Sequence, residues 1–171
     1  MKKILLSISL ICIVSLATNA QTVYSQDTES IDNIIEALYE VISGEANEAR
    51  DWDRFTNLFA KDAKLIPTTK NAAGEISYRY WTPADYVEMF TSSRRTTGFF
   101  EEELARKTET YGSIVHVFTT YATRATKDGP TTNRGINSIQ LLKGKDRYYI
   151  MNIFWSAESD GYPLPDIYLK D

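Results

Sequence analysis

The sequence predicts an α+β domain in which three short N-terminal helices cover one face of a curled antiparallel sheet. Three observations predict it: a helical apolar period over residues 31–42, a helix-start signature at Thr82-Pro83-Ala84-Asp85, and a change to strand-and-turn alternation after Phe99. Helices first and strands afterwards is the α+β order, because the helices then share one sheet face instead of alternating across both.

Ile31, Ile34, Ile35, Leu38 and Ile42 fall on one stripe, with Ser30 placed to cap and Asp32 in the first turn. They predict helix one, ending near Gly44. Trp52, Phe55, Leu58 and Phe59 predict a second, shorter helix, with Asp51 or Asp53 as its cap at the favourable end of the dipole. Leu65-Ile66-Pro67 reads as a brief strand, Asn71-Ala72-Ala73-Gly74 as a turn, and the aromatic-rich stretch 76–81 as another short strand. Thr82 then offers a capping hydroxyl, Pro83 suits the first helical position, and Asp85 stands three residues after the cap. Helix three runs from there with Tyr86, Val87 and Phe90 on one face and stops before Gly98. Strands over 99–109, 113–126, 133–142 and 147–156 are separated by Tyr111-Gly112, Asp128-Gly129-Pro130 and Gly144-Lys145-Asp146, which predicts a meander. The prolines of Gly161-Tyr162-Pro163-Leu164-Pro165 extend the tail. Tyr162, Leu164, Ile167, Tyr168 and Leu169 give it reason to pack back on the domain.

Met1-Lys2-Lys3, the apolar run 4–16 and the small residues of Thr18-Asn19-Ala20 read as a cleavable signal peptide over 1–20. The run of ~13 apolar residues is shorter than the ~20 a spanning helix needs, so no integral membrane segment is expected in the mature chain. Cys12 lies inside that run and follows Ile11, where a lipobox wants a small residue, which argues against lipidation. Residues 21–29 are polar and without period and read as a tether; 30–171 form the domain. The expected location is periplasmic or secreted, in a Gram-negative bacterium. Removing residues 1–20 takes away the only cysteine and two lysines, leaving 17 basic against 23 acidic residues, a balance of −6. The mature chain then has no thiol chemistry and no disulfide. It also lacks the basic footprint that nucleic acid or an anionic membrane selects. The ~150 residues that remain suffice for one domain burying roughly 68 to 70% of its unfolded surface.

Asp51-Trp52-Asp53-Arg54-Phe55 with Leu58-Phe59-Ala60-Lys61-Asp62-Ala63 resembles the helix-two signature of the nuclear transport factor 2-like (SnoaL-like) superfamily, a short amphipathic helix ending in an acid-alanine pair before strand one. Arg147-Tyr148-Tyr149-Ile150 through Phe154-Trp155-Ser156 is similar to the superfamily's last strand, and the likeness covers residues 30–156. The resemblance implies a cystatin-like cone whose curled sheet and three helices enclose a pocket, often with dimerisation through the outer sheet face. It implies no single activity, since ketosteroid isomerases, scytalone dehydratases, SnoaL-like cyclases and non-catalytic transport factors share the fold.

Isomerase chemistry needs a carboxylate base just after strand one and acidic donors for the oxyanion. Here the stretch resembling the base position reads Ile66-Pro67-Thr68, the second acid's position falls near Ser138, and only Tyr39 matches the remaining donor. Ketosteroid-type proton transfer is therefore disfavoured. His116 is the only histidine, which excludes paired-histidine metal sites, and no run of acids has calcium-loop spacing. Neither a metal nor another cofactor is expected. Alternation sets His116 with Phe118, Thr120 and Arg124 on one face of its strand, and Val115, Val117, Thr119 and Tyr121 on the other. The resemblance turns the Tyr121 face into the cone. His116 then weighs more as a hydrogen-bonded sheet residue or dimer contact than as the imidazole of a Ser-His-Asp set. Glu101-Glu102-Glu103 reads as a solvated edge that blocks sheet pairing, Arg94-Arg95 as charges suited to a helix end, and Trp52 and Trp81 as core or rim packing.

Ile136, Ser138 and Gln140 are expected to face inward from strand five, and Tyr149, Met151, Ile153 and Trp155 from strand six. That lining, apolar walls with a few fixed polar groups, suits a small-molecule site. The alternative is that the same side chains fill the cone, with Ser138 and Gln140 satisfied by backbone. The candidate ligand contacts are Tyr39, Tyr86, Tyr121, Ser138, Gln140, Met151 and Trp155. Three functions remain open: an exported, non-catalytic domain binding a small apolar or amphipathic molecule; a small lyase, isomerase or cyclase-type enzyme using Tyr39, Tyr121 or His116; and a homodimeric interaction module.

Overall fold

The computed structural model describes residues 23–93 and 96–170. The expected signal peptide over 1–20, the first two residues of the tether, and Arg94-Arg95 lie outside the described residues.

Each helix begins where its cap chemistry directs. In α1 (Ile31–Ile42) the Ser30 hydroxyl accepts the Asn33 N–H at 3.0 Å, and Ile34, Ile35, Leu38, Val41 and Ile42 are buried along one side. In α2 (Trp52–Asn57) the Asp51 carboxylate accepts the Arg54 N–H at 2.9 Å. In α3 (Pro83–Ser92) the capping box is complete: Thr82 Oγ1 accepts from the Asp85 N–H at 3.1 Å, and Asp85 Oδ2 accepts from the Thr82 N–H at 2.7 Å. Two orphan N–H groups of the first turn are satisfied in this way.

The strands are β1 (Phe59–Lys70), β2 (Ile76–Tyr78), β3 (Phe100–Tyr111), β4 (Ile114–Arg124), β5 (Thr131–Lys143) and β6 (Tyr148–Ala157). They form one curled, unclosed sheet in the order β2-β1-β6-β5-β4-β3. β3 to β6 are the expected antiparallel meander. β1 instead joins β6 in parallel, so the sheet is not antiparallel throughout. No hairpin links those two strands, and the intervening chain can return β6 to the β1 edge in either sense. β1 also runs for 12 residues where a brief strand was expected. A register shift between Phe59 and Lys64 breaks its alternation, burying Phe59, Ala63 and Leu65 while leaving Lys61 and Asp62 outside.

The helices lie against the concave face. Ile34 and Ile35 of α1, Phe55 of α2, Val115 and Val117 of β4, Ile139 and Leu141 of β5 and Ile150 of β6 are buried together. Each such side chain contributes roughly 1.5–3 kcal/mol relative to exposure. The convex face is covered in part by the tail: Thr120 Oγ1 donates to the Tyr168 carbonyl, and the Phe118 and Tyr168 rings meet edge-on at 5.0 Å. The described part of the tether is docked as well. Asp27 holds Arg54 through two bonds at 2.8 and 3.0 Å, Thr28 is buried, and the Tyr24 hydroxyl donates to Asp51 at 3.0 Å.

Candidate functional site

Between the helices and the concave face lies a cavity of about 200 Å³. Leu38 and Ile42 of α1, Phe55 of α2, Leu65 of β1 and Tyr86 of α3 form one side. Phe99 and Glu101 at the start of β3, Tyr121 and Thr123 of β4, Asn137 of β5, and Ile153 and Trp155 of β6 form the other.

Ring packing fixes these walls. Tyr86 stacks on Phe55 with centroids 5.3 Å apart, Phe99 meets Phe90 edge-on at 5.9 Å, and Trp155 tilts against Trp81 at 6.2 Å. Tyr121 crosses its neighbour Gly135, where an added Cβ would come within 2.5 Å of the phenolic oxygen and would also meet the Ser156 carbonyl. Only glycine permits that approach.

Glu101 is the chemical centre of the cavity, and the end of α1 sets its position. Gly44 and Phe99 exchange two main-chain bonds at 2.8 and 2.9 Å, and the Ser43 hydroxyl accepts the Glu101 N–H at 2.9 Å. Strand alternation then sends Glu101 and Glu103 inward and Glu102 outward, where Glu102 pairs with Arg124. Reading the three acids as a solvated edge is therefore corrected: β3 is an edge strand, but two of its carboxylates face the cone. Glu101 retains some accessible surface because it opens on the cavity, yet protein surrounds it. Burial pushes its carboxyl up to about 8, opposed by the hydrogen bond from Asn137. Among the described residues no cation acts on it.

Behind Asn137 runs a buried polar chain. Asn137 Nδ2 donates to the Tyr39 hydroxyl at 3.1 Å, Tyr39 meets Thr119 Oγ1 at 3.2 Å, and Thr119 donates to Glu103 Oε1 at 2.6 Å. Glu103 pairs with Arg106 at 3.1 Å, and Arg106 with Asp32 at 3.0 Å. A carboxylate only accepts, so the single Thr119 proton is committed to Glu103 and Thr119 must accept from Tyr39. Tyr39 must in turn accept from Asn137, whose second N–H is left for Glu101. The chain thus holds the Asn137 amide with its donors towards the carboxyl. Burial first, and the Glu101 charge second, raise both the Tyr39 and the Tyr121 phenols, keeping them protonated.

Of the residues expected to contact a ligand, Tyr86, Tyr121 and Trp155 line the cavity. Tyr39 is buried behind Asn137 instead of at the surface of the cavity. The inward phase of β5 is corrected: Thr119 pairs with Asn137, so Asn137, Ile139 and Leu141 face in, and Ile136, Ser138 and Gln140 face out. Ser138 and Gln140 border a shallow trough on the convex face with Tyr78, Tyr80 and Phe154. Met151 falls at a register shift between β5 and β6 and is 38% exposed, so the expected inward series on β6 keeps only Ile153 and Trp155.

His116 also lies on the convex face. Its Nε2 is 2.9 Å from Ser138 Oγ, and its Nδ1 is 4.0 Å from Glu109. This has the order of a Ser-His-acid set laid on the outer face of the sheet, where Ser138 sits between β4 and β6 and its strand is paired on both sides. Among the described residues no group of three or more His, Cys, Asp or Glu is placed to hold a metal ion. Among them, too, no helix is long and apolar enough to cross a membrane.

No family model matches the sequence, and no curated protein matches it significantly. Solved structures do. The β subunit assigned to an aromatic-ring-hydroxylating dioxygenase of Novosphingobium aromaticivorans is similar over 81% of this chain and 90% of its own, with 14% identity and a TM-score of 0.57. The Kribbella flavida protein Kfla4162 is similar over 81% and 93%, with 9% identity and a TM-score of 0.54. The association domain of C. elegans CaMKII is similar over 81% and 99%, with 15% identity and a TM-score of 0.51. At these identities the likeness speaks to architecture alone: the chain has the cystatin-like, nuclear transport factor 2-like α+β fold.

Proposed function

We propose that this chain is an exported small-molecule-binding domain whose occupant has an apolar body of about one ring and a single polar group set against Glu101 and Asn137. The observation that carries this is the cavity of about 200 Å³ with aromatic walls, into which one carboxyl and one carboxamide project. Apolar area supplies affinity and a few polar atoms supply orientation. An apolar cavity of ~150 Å³ already accepts benzene. Export is supported by the basic, apolar and small-residue order of the first 20 residues. Native mass spectrometry of protein purified from its own cell envelope tests the reading. A retained small molecule, lost in Leu38→Phe, which fills the cavity, is expected; a bare mass together with no response to a panel of one-ring probes contradicts it.

Two observations favour other uses of the same fold. A carboxyl pushed up to about 8 in the cavity that Tyr121 also lines is a proton donor and acceptor at neutral pH, which supports an acid–base enzyme of the lyase or isomerase type. Turnover abolished by Glu101→Gln supports that use, and turnover unchanged by it rules the use out. On the convex face Tyr78, Tyr80 and Phe154 are 61%, 65% and 46% exposed around the trough, which supports self-association through that face. Sedimentation at micromolar concentration then shows a dimer that Phe154→Ser dissociates; a monomer throughout removes it.

A further inference from the structure

We propose that the occupant's polar group is a protonated amine: the cavity takes a monocationic aryl- or alkylamine, its ammonium on the Glu101 carboxylate and its body against the rings of Trp155, Tyr86 and Phe99. This rests on the small-molecule-binding reading above and names the chemical class of the ligand.

Charge balance leads to it. Asp27 faces Arg54, Glu103 faces Arg106 and Glu158 faces Arg134, each a half-buried carboxylate set against an arginine. Glu101 lines the cavity and, among the described residues, has only the neutral amide of Asn137 as a side-chain partner. A carboxylate left without a counter-charge in an enclosed apolar space is costly. A ligand ammonium supplies the missing charge. The cavity also suits the body of such a ligand, because the aromatic side chains of Trp155, Tyr86 and Phe99 are part of its lining. Size restricts the amine to about one ring or its aliphatic equivalent.

Binding is then coupled to loss of the Glu101 proton. The titratable groups facing Glu101 are Tyr39 from α1, Tyr86 from α3, Tyr121 from β4 and, on its own strand, Glu103 with its partner Arg106. Asp160, after β6, acts on Tyr121. α2, β1, β5 and β6 contribute Phe55, Leu65, Asn137, Ile153 and Trp155, none of which titrates. Glu101, whose carboxyl burial pushes up to about 8, changes charge between pH 6 and 8. An amine that binds only the carboxylate gains about 50-fold in affinity from pH 6 to pH 8 and little more above it. A carbonyl or ether ligand uses the protonated carboxyl as donor and weakens above pH 8.

Titration calorimetry of the full chain with benzylamine and with benzyl alcohol, of equal size but one cationic and one neutral, tests this at pH 6, 7 and 8 in two buffers of different ionisation enthalpy. The expected result is benzylamine affinity rising about 50-fold, with about one proton released per site at pH 6 and about half at pH 8. Benzyl alcohol shows no such rise. Glu101→Gln flattens the amine profile; if that variant does not fold, the wild-type proton release decides alone. Equal, pH-independent binding of both probes overturns the amine and leaves the binding reading standing. Absence of binding by either probe at millimolar concentration overturns both.

Discussion

Replacing Glu101 by glutamine keeps the shape of the side chain and removes its charge, so it isolates what the unpaired carboxylate does to the fold. The carboxyl ionises near 4.5 as a free side chain and near 8 in the folded protein. The native state therefore holds this proton more tightly than the unfolded state does. Stability from this group is full below pH ~4.5 and is lost as pH rises through ~8, at ~1.4 kcal/mol per pH unit between them. From pH 5 to pH 9 the loss comes to about 4 kcal/mol, of which about 2.5 kcal/mol falls between pH 5 and 7. Glu102, Glu158 and Asp85, whose carboxyls are held low by Arg124, Arg134 and Thr82, act in the opposite sense and at lower pH. They are shared by both proteins and cancel in the difference. Urea unfolding followed by tryptophan fluorescence at pH 5, 7 and 9 gives that difference directly. Glu101→Gln is expected to match the wild type within about 1 kcal/mol at pH 5 and to exceed it by about 3–5 kcal/mol at pH 9. Parallel stability curves across the range would refute the account of Glu101 as a buried, uncompensated acid.

Three further substitutions probe the frame around the cavity. Gly135→Ala places a Cβ against the Tyr121 hydroxyl and the Ser156 carbonyl, and its expected cost is about 1–3 kcal/mol in unfolding free energy, read from urea denaturation, with loss of any cavity ligand. Unchanged stability and binding would mean that Tyr121 does not cross that glycine. Thr82→Ala removes the hydroxyl half of the α3 capping box, leaving the main-chain N–H of residue 82 on Asp85, and lowers stability by about 1 kcal/mol, read as a drop in Tm; an unaltered Tm contradicts the cap. Arg54→Ala frees Asp27 and Glu40 and costs about 1 kcal/mol. The clearer readout is limited proteolysis, with new cleavage expected between residues 23 and 30, and wild-type resistance there arguing against a docked N-terminal segment.

Elements governed by local chemistry were legible in the sequence. Ser30, Asp51 and the Thr82-Pro83-Ala84-Asp85 signature start the three helices as read, because a cap is settled within four residues. Alternation sorted β4 into its two faces, and the resemblance supplied which of them, the one with Val115, Val117 and Tyr121, is buried. β5 offered no such contrast: Ile139 and Leu141 are in one phase, Ile136 and Leu142 in the other, and the buried Asn137 weakened the correct one. The register shift at Met151 cannot be read from alternation, because it depends on how β6 pairs with β5. Glu101 was the consequential miss. Alternation already set Glu101 and Glu103 on one face and Glu102 on the other. Which face is inward is decided by the end of α1, through Ser43, which lies 58 positions away in sequence. An inward acid on an edge strand is a long-range fact, and the local composition favoured the solvated reading.

Among the described residues, the cone holds an ionisable carboxyl in a cavity without a counter-charge. Carbon-detected NMR of glutamate-labelled protein, with Glu101 assigned by its absence in Glu101→Gln, follows that carboxyl directly through a pH titration. A midpoint near 8 is predicted, moving down when benzylamine fills the cavity. A midpoint near 4.5, unmoved by the amine, would contradict the claim.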